Sequence, residues 1–395
     1  MSPKELLFEN YKAFNEPGSI KLRPVTLILG KNSSGKTSLC KLVKMISTCM
    51  SGHTGALLPL SADDVSFGNS LLNLFHNHQT TGLKLGAVYD FGKGSDNRHD
   101  YSVTVKAEYF INESQLYAYS YEVTKNYANG DDQRSAIMKG SEEKPLRPDG
   151  LIDAEALGAI DVDPAELKFS ASYIGPARRC LQDPVIRPET ASSATATYDG
   201  SDAYRLLLNS FTGDKRTFRN VSDWMDAHLE NQRILFKPLL EVAGLYGVYV
   251  DHNGVLCPIN EVGQGISQLL PIVTDAFAGT SDVSIIEQPV LHLHPACHAD
   301  VAALLGTQAK KRGRNVVIES HSENMLLCFR EMVTNPEVDF NKEDIVIYFV
   351  DSDDEGTYLR EITIDSQGEL SEWPEGVYGE GFDLISKIIR NGKRK

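Results

Sequence analysis

The chain has 395 residues, 41% hydrophobic and 24% charged, a balance that excludes fibrous and disordered classes and leaves room for a large core plus an accessory lobe. No window approaches the roughly eighteen uninterrupted apolar residues of a membrane span, and the start lacks an apolar segment with a cleavage site, so a cytoplasmic chain with no membrane partner is expected. A formal net charge of −15 argues against a surface coated for non-specific nucleic-acid binding.

In chain order, Glu5 to Phe14 reads as a strand that leads through Gly18 to Leu22 into the buried run Pro24 to Leu29. Directly after it, Gly30-Lys-Asn-Ser-Ser-Gly-Lys-Thr37 fits the phosphate-binding loop G-x-x-x-x-G-K-[ST] at every position. Leu39, Leu42, Val43 and Ile46 then fall on one face of a helix, which gives the loop its required strand-loop-helix setting. Such a loop turns backbone N–H groups inward around phosphates at a helix N-terminus. Gly30, Asn32, Ser33, Ser34, Gly35, Lys36, Thr37 and Ser38 are therefore the candidate triphosphate contacts, with Lys36 on the β/γ-phosphates and the Thr37 hydroxyl on Mg²⁺.

Ser51 to Asp64 reads as a loop, and from about Leu83 to Tyr127 a spacing of two (Tyr101, Val103, Val105; Tyr117, Tyr119, Tyr121, Val123) predicts an antiparallel meander. Its tyrosines are expected to pack rather than to stack on bases. Asn129 to Asp163 and Pro184 to Thr197 are expected to be loops, and Asp202 to Phe211 and Val221 to Leu229 to be helices. Asn260 to Pro271 is a Gly/Ser turn that opens a helix. The short run Val283 to Ile286 ends in Glu287-Gln288-Pro289, and Asn315 to Ile318 ends in Glu319-Ser-His321. A carboxylate at the carboxyl end of a parallel strand sits where ligands gather, so Glu287 is expected to complete the Mg²⁺ shell and His321 to approach the terminal phosphate.

Several other features carry plainer expectations. His292, His294 and His298 read as a loop and helix start rather than a zinc site, and Asp351, Asp353 and Asp354 as part of a hairpin rather than a nuclease centre. Six scattered cysteines without a C-x-x-C pair read as reduced thiols. Arg178-Arg179, Lys215-Arg216 with Arg219, Lys310 to Arg314 and Lys393-Arg394-Lys395 are the local basic segments that keep a nucleic-acid partner open. Trp373 is expected to anchor the C-terminal piece by packing.

The phosphate loop, the distant Gly/Ser-led helix, the acidic strand end and the histidine-ended strand, in this order, resemble the ABC-type ATPases of the RecF and SMC superfamily. Tyr173-Ile-Gly-Pro-Ala-Arg178, Ile286-Glu-Gln-Pro289, Glu319-Ser-His-Ser-Glu323 and Trp373-Pro-Glu-Gly376 look like its compact bacterial members without a long coiled coil, including ATPase parts of OLD-family nucleases and of the Septu antiphage system. The resemblance implies an α/β head with a central mostly parallel sheet, an antiparallel β subsheet and a helical lobe. It divides the chain into 1–80 (first half of the head), 81–165 (inserted meander), 166–260 (helical lobe), 261–340 (second half of the head) and 341–395 (hairpin and helix).

The resemblance further implies ATP and Mg²⁺ as cofactors and a homodimer or higher homo-oligomer in which Gly263, Gln264, Gly265 and Ser267 clasp the partner copy's ATP. The output would pass to a separately encoded effector, a nuclease or toxin of antiphage defence; the alternative is a RecF-like ATPase that clamps DNA itself. This sequence departs from the pattern twice. Gly263 stands where the signature usually carries serine, and Gln288 where relatives carry the carboxylate that polarises water. An amide orients water but cannot take its proton, so hydrolysis by Lys36, Gln288 and His321 is expected to be slow.

Overall fold

The computed structural model describes residues 2–52, 56–92, 100–127, 133–141, 144, 146, 148–181, 184–187, 197–353 and 356–373. In chain order its strands are β1 (Glu5–Glu9), β2 (Gly18–Lys21), β3 (Val25–Gly30), β4 (Ser61–Ala62), β5 (Val65–Ser66), β6 (Thr81–Phe91), β7 (Tyr101–Asn112), β8 (Gln115–Tyr127), β9 (Gln133–Lys139), β10 (Ala171–Ile174), β11 (Val185–Ile186), β12 (Gln232–Leu240), β13 (Leu245–His252), β14 (Val255–Pro258), β15 (Val283–Glu287), β16 (Asn315–Glu319), β17 (Ile345–Asp353) and β18 (Gly356–Ile362). The helices are α1 (Lys36–Ser51), α2 (Ala154–Ala159), α3 (Asp202–Thr212), α4 (Arg216–His228), α5 (Gln264–Ala278), α6 (Cys297–Arg312) and α7 (Glu323–Thr334).

The fold is α/β. Its central sheet runs β10-β15-β16-β3-β17-β18, with the first five strands parallel and β18 returning antiparallel as the expected hairpin. Every residue of β3 and of β15 is buried, the pattern of strands covered on both faces. Successive strand side chains point to opposite faces, and here they divide between two cores. Ile28, Ile285, Val317 and Val350 pack with Leu39, Leu42, Val43 and Ile46 of α1. Leu27, Leu29, Ile286, Ile318 and Phe349 pack with Leu269 and Ile272 of α5 and with residues of α6 and α7. Each such apolar side chain contributes about 1.5–3 kcal/mol by leaving water, so the sheet holds α1 on one face and α5 to α7 on the other.

A second sheet, antiparallel in the order β2-β1-β6-β7-β8-β9, closes over α1, so the meander joins the first two strands in one layer. Tyr89, Tyr109 and Tyr121 are buried in that layer and donate to the carbonyls of Leu167, Gly150 and Leu151. Spacing by two groups Tyr119 with Tyr121, but a bulge between the pairs Glu108–Ser120 and Tyr109–Ala118 turns Tyr119 outward.

Two stretches differ from expectation. Asn129 to Asp163 contains strand β9, paired with β8, and helix α2, whose N-cap Asp153 accepts from the amides of Glu155 and Ala156. Polar edge strands such as β9 carry little periodic signal, which is why composition pointed to loops. Between α4 and the Gly263 turn the chain forms strands β12, β13 and β14, which with β11 make an antiparallel sheet, β11-β13-β12 with β14 also on β13, where helices had been expected to dominate. Ile234, Phe236, Val248 and Val250 of that sheet face α3 and α4. Pro184 to Thr197 contains β11; residues 188–196 lie outside the described residues.

Candidate functional site

The site begins where β3 ends. At Gly30, φ is +149° and an added Cβ would run into the Val350 carbonyl of β17, so no side chain fits. Ser33 (φ +62°) and Gly35 (φ +103°) are left-handed, and Gly35 stands at the N-terminus of α1 with Ala13 and Phe14 against it. Asn32 and Ser33 are exposed; the Ser38 amide donates to the Gly35 carbonyl at 2.9 Å. Lys36 is buried and its ammonium donates to the Lys31 carbonyl across the loop. Burial lowers its pKa, against the pull of Glu319. The buried Ser34 hydroxyl has no partner.

Two carboxylates face this loop from neighbouring strand ends, Glu287 on β15 opposite Glu319 on β16, with Glu319 opposite Ile28 of β3. The Thr37 hydroxyl donates to Glu319 at 2.9 Å. Glu287 accepts instead from the Tyr173 hydroxyl of β10. Burial raises both carboxyls: Glu287 is pushed up to about 7, with Glu319 adding to the rise, while Thr37 and Lys36 hold Glu319 back. The same setting pushes the Tyr173 hydroxyl and the Cys40 thiol up. Two buried carboxylates with one lysine and few donors are an incomplete charge balance that suits a hard cation.

The expected neighbours arrive. Gln288 has φ +48°, donates its amide to the Glu319 carbonyl at 2.8 Å and brings its side chain to the Glu319 carboxylate. His321 hydrogen-bonds the Gly30 backbone near Lys36, and burial lowers its pKa, which keeps the ring neutral at physiological pH. These groups collect at the carboxyl ends of β15, β16 and β3, beside the point where the connecting helices change from one face of the sheet to the other, where open α/β sheets bind ligands.

The turn Gly263 to Ser267 is elsewhere. It opens α5 on the face opposite α1, with Gly265 against the His292 carbonyl and Leu293, and the buried Ser267 hydroxyl donating to Gln264. Gly263 has nothing within 4 Å of where a Cβ would stand. Among the described residues no hydrogen bond joins this turn to Gly30–Thr37.

The remaining candidates find local roles. His294 accepts from the Ala296 amide and His298 bonds the Ser322 hydroxyl at 2.8 Å. Asp351 pairs with Arg360 at 3.1 Å and Lys31 at 3.6 Å, while Asp353 ends β17 and Asp354 lies outside the described residues. In the basic run, Lys310 pairs with Asp339 and Asp344, and Arg312 and Arg314 donate to carbonyls at the end of α5. Lys393 to Lys395 lie outside the described residues. Trp373 is 43% exposed with the Arg330 guanidinium 5.7 Å from its ring centre. The six cysteines are free, and no described helix is long and apolar enough to cross a membrane. Arg178, which the sequence leaves open between a phosphate or interface contact and an ordinary surface arginine, is buried with its side chain on backbone carbonyls. Sequence reasoning missed Glu319 and Tyr173 as partners in the site; only the strand order reveals them.

A family described as a protein of unknown function (DUF3696) matches residues 340–388. No curated protein matches the sequence. Among solved structures the chain is similar to an SMC head bound to the C-terminal winged-helix domain of ScpA, at 14% identity and a TM-score of 0.47, covering 92% of this chain and 98% of that one. It is also similar to an SMC head domain from Thermotoga maritima, at 11% identity and 0.40, covering 91% and 98%. A third is an SMC head with an extended coiled coil, bound to the C-terminal domain of ScpA and derived from Pyrococcus furiosus, at 12% identity and 0.46, covering 98% and 99%.

Proposed function

We propose that the chain is an ATP-binding switch: an ATPase head that binds ATP with Mg²⁺, pairs with a second copy around the nucleotide and hydrolyses it slowly to release the pair. The observation that carries this is the meeting of Lys36, Thr37, Glu287, Glu319, Gln288 and His321 around one phosphate-loop geometry. The loop amides and the unpaired Ser34 hydroxyl suit phosphate oxygens, and Thr37 with Glu287 and Glu319 would hold Mg²⁺. When bound, the metal supplies charge neutralisation on the phosphates. Lys36 holds the terminal phosphate, neutral His321 orients it, and Gln288 orients water by its amide without accepting the proton.

The placement of α5 supports a second copy. Its N-terminal turn lies on the other face of the sheet from α1, so its open Gly263 is offered outward to another molecule's triphosphate. ATP binding then becomes a change of assembly state. The output goes to a separately encoded effector, and the resemblance to compact antiphage ATPases points to a nuclease or toxin. In support, Asp351 of the β17–β18 hairpin is tied to Arg360 and Lys31, which gives that residue a structural role.

Phosphate release by the wild type, abolished in Lys36→Ala and raised about tenfold or more in Gln288→Glu, is the expected outcome. A wild-type rate equal to that of Lys36→Ala would refute hydrolysis at this loop. Co-purification with the products of adjacent genes is expected to recover a partner whose retention changes with ATP; none with or without ATP counts against the effector.

A further inference from the structure

Arg178 is 3% exposed, yet among the described residues its guanidinium is held by backbone carbonyls and not by a carboxylate at hydrogen-bonding distance. Its guanidinium donates to the carbonyls of Gly175 at 2.9 Å, Glu287 at 3.0 Å and Gln288 at 2.8 Å. The Gln288 peptide is thus held from both sides, by Arg178 on its carbonyl and by the Glu319 carbonyl on its amide, at a left-handed φ that a non-glycine residue keeps only when its surroundings enforce it. The main-chain carbonyl of the same arginine accepts from the Gln268 side chain of α5 at 2.8 Å. Gly200 leaves no room for a Cβ, which would meet Pro271 of α5 at 2.6 Å, so the Gly200 segment is seated directly on that helix, with the Arg178 side chain in ordinary contact at 3.7 Å from the same point. Two buried polar atoms of this link, Arg178 Nε and Gln268 Oε1, have no partner.

We propose that Arg178 is a positioning residue that couples the N-terminal turn of α5 to the Glu287–Gln288 turn of the same chain. Resting on the paired-head reading above, this means that docking of α5 on a partner's triphosphate is transmitted to the chain's own water-orienting turn. The planar fork of arginine is needed because it reaches two consecutive carbonyls at once; a lysine ammonium is a point donor and cannot hold both in one plane.

The test is hydrogen exchange on the full chain without nucleotide, read on peptides spanning 286–291, for the wild type, Arg178→Lys, Gln268→Leu and the double variant. Gln268→Leu, a change on α5, is expected to speed exchange of the Gln288 amide about fivefold or more while the α1 amides keep their rates. Arg178→Lys is expected to do the same, and the double variant to add little, since both cut one link. Unchanged exchange at 286–291 in Gln268→Leu, or fully additive effects, would overturn the coupling. If Arg178→Lys fails to fold, Gln268→Leu alone decides. Because no nucleotide is present, the outcome stands apart from the ATPase reading: coupling seen in a chain that retains no ATP would sink that reading and leave this one.

Discussion

Glu287 shows what the site costs without a ligand. Burial, reinforced by Glu319, pushes its carboxyl up to about 7 from an ordinary 4.5. Between those values the folded chain keeps a proton that the unfolded chain has released, so stability falls as pH rises through that window, and the full cost is present above it. Glu287→Gln cannot ionise. Its urea midpoint is therefore expected to fall less steeply than the wild type's between about pH 5 and 8, with the remaining slope carried by Glu319, which is raised for the same reason. Added Mg²⁺ is expected to restore wild-type stability above pH 7 and to do little for the variant. Identical slopes would remove Glu287 as the buried charge. At this scale the phosphate loop was legible because its chemistry is local: eight consecutive residues carry it. The Thr37–Glu319 bond was not, since it depends on β16 lying between β3 and β15. Arg178 stayed open in the sequence for a related reason: a single arginine carries no periodic sign of being buried.

Two glycines of one turn separate fold from function at the scale of elements. Gly265 is crowded, since a Cβ there would stand 3.0 Å from the His292 carbonyl oxygen and 3.1 Å from Leu293, whereas Gly263 faces open space at an ordinary φ of −54°. Gly263→Ala is therefore expected to leave the melting temperature within about 2 °C of the wild type and ATP binding by the isolated chain unchanged, yet to weaken ATP-dependent pairing about tenfold or more, because the added methyl occupies the approach to phosphate. Unimpaired pairing would show that nothing docks there. Elements with a strong period, such as α1, β3 and the meander, were readable in sequence. Strands β12 to β14 were not, because they are partly exposed, the β12–β13 pairing is interrupted by a bulge between Pro238 and Leu240, and β14 has only four residues. A similar bulge at Tyr119 broke an otherwise clear alternation.

At the scale of the whole molecule, one sheet separates two half-sites. The loop proposed to cradle a triphosphate belongs to the α1 face and the Gly263 turn to the α5 face, and on the proposed reading each would meet a nucleotide shared with a second copy. The family resemblance implies two copies, and the division of alternate strand residues between two cores suits that proposal. The most direct measurement is the solution mass of the purified full chain with ATP and Mg²⁺, with ADP, and for Lys36→Ala with ATP. The account predicts a doubled or larger mass with ATP alone, the single-copy mass with ADP, and no ATP response in Lys36→Ala; a mass that is the same in all three would contradict it.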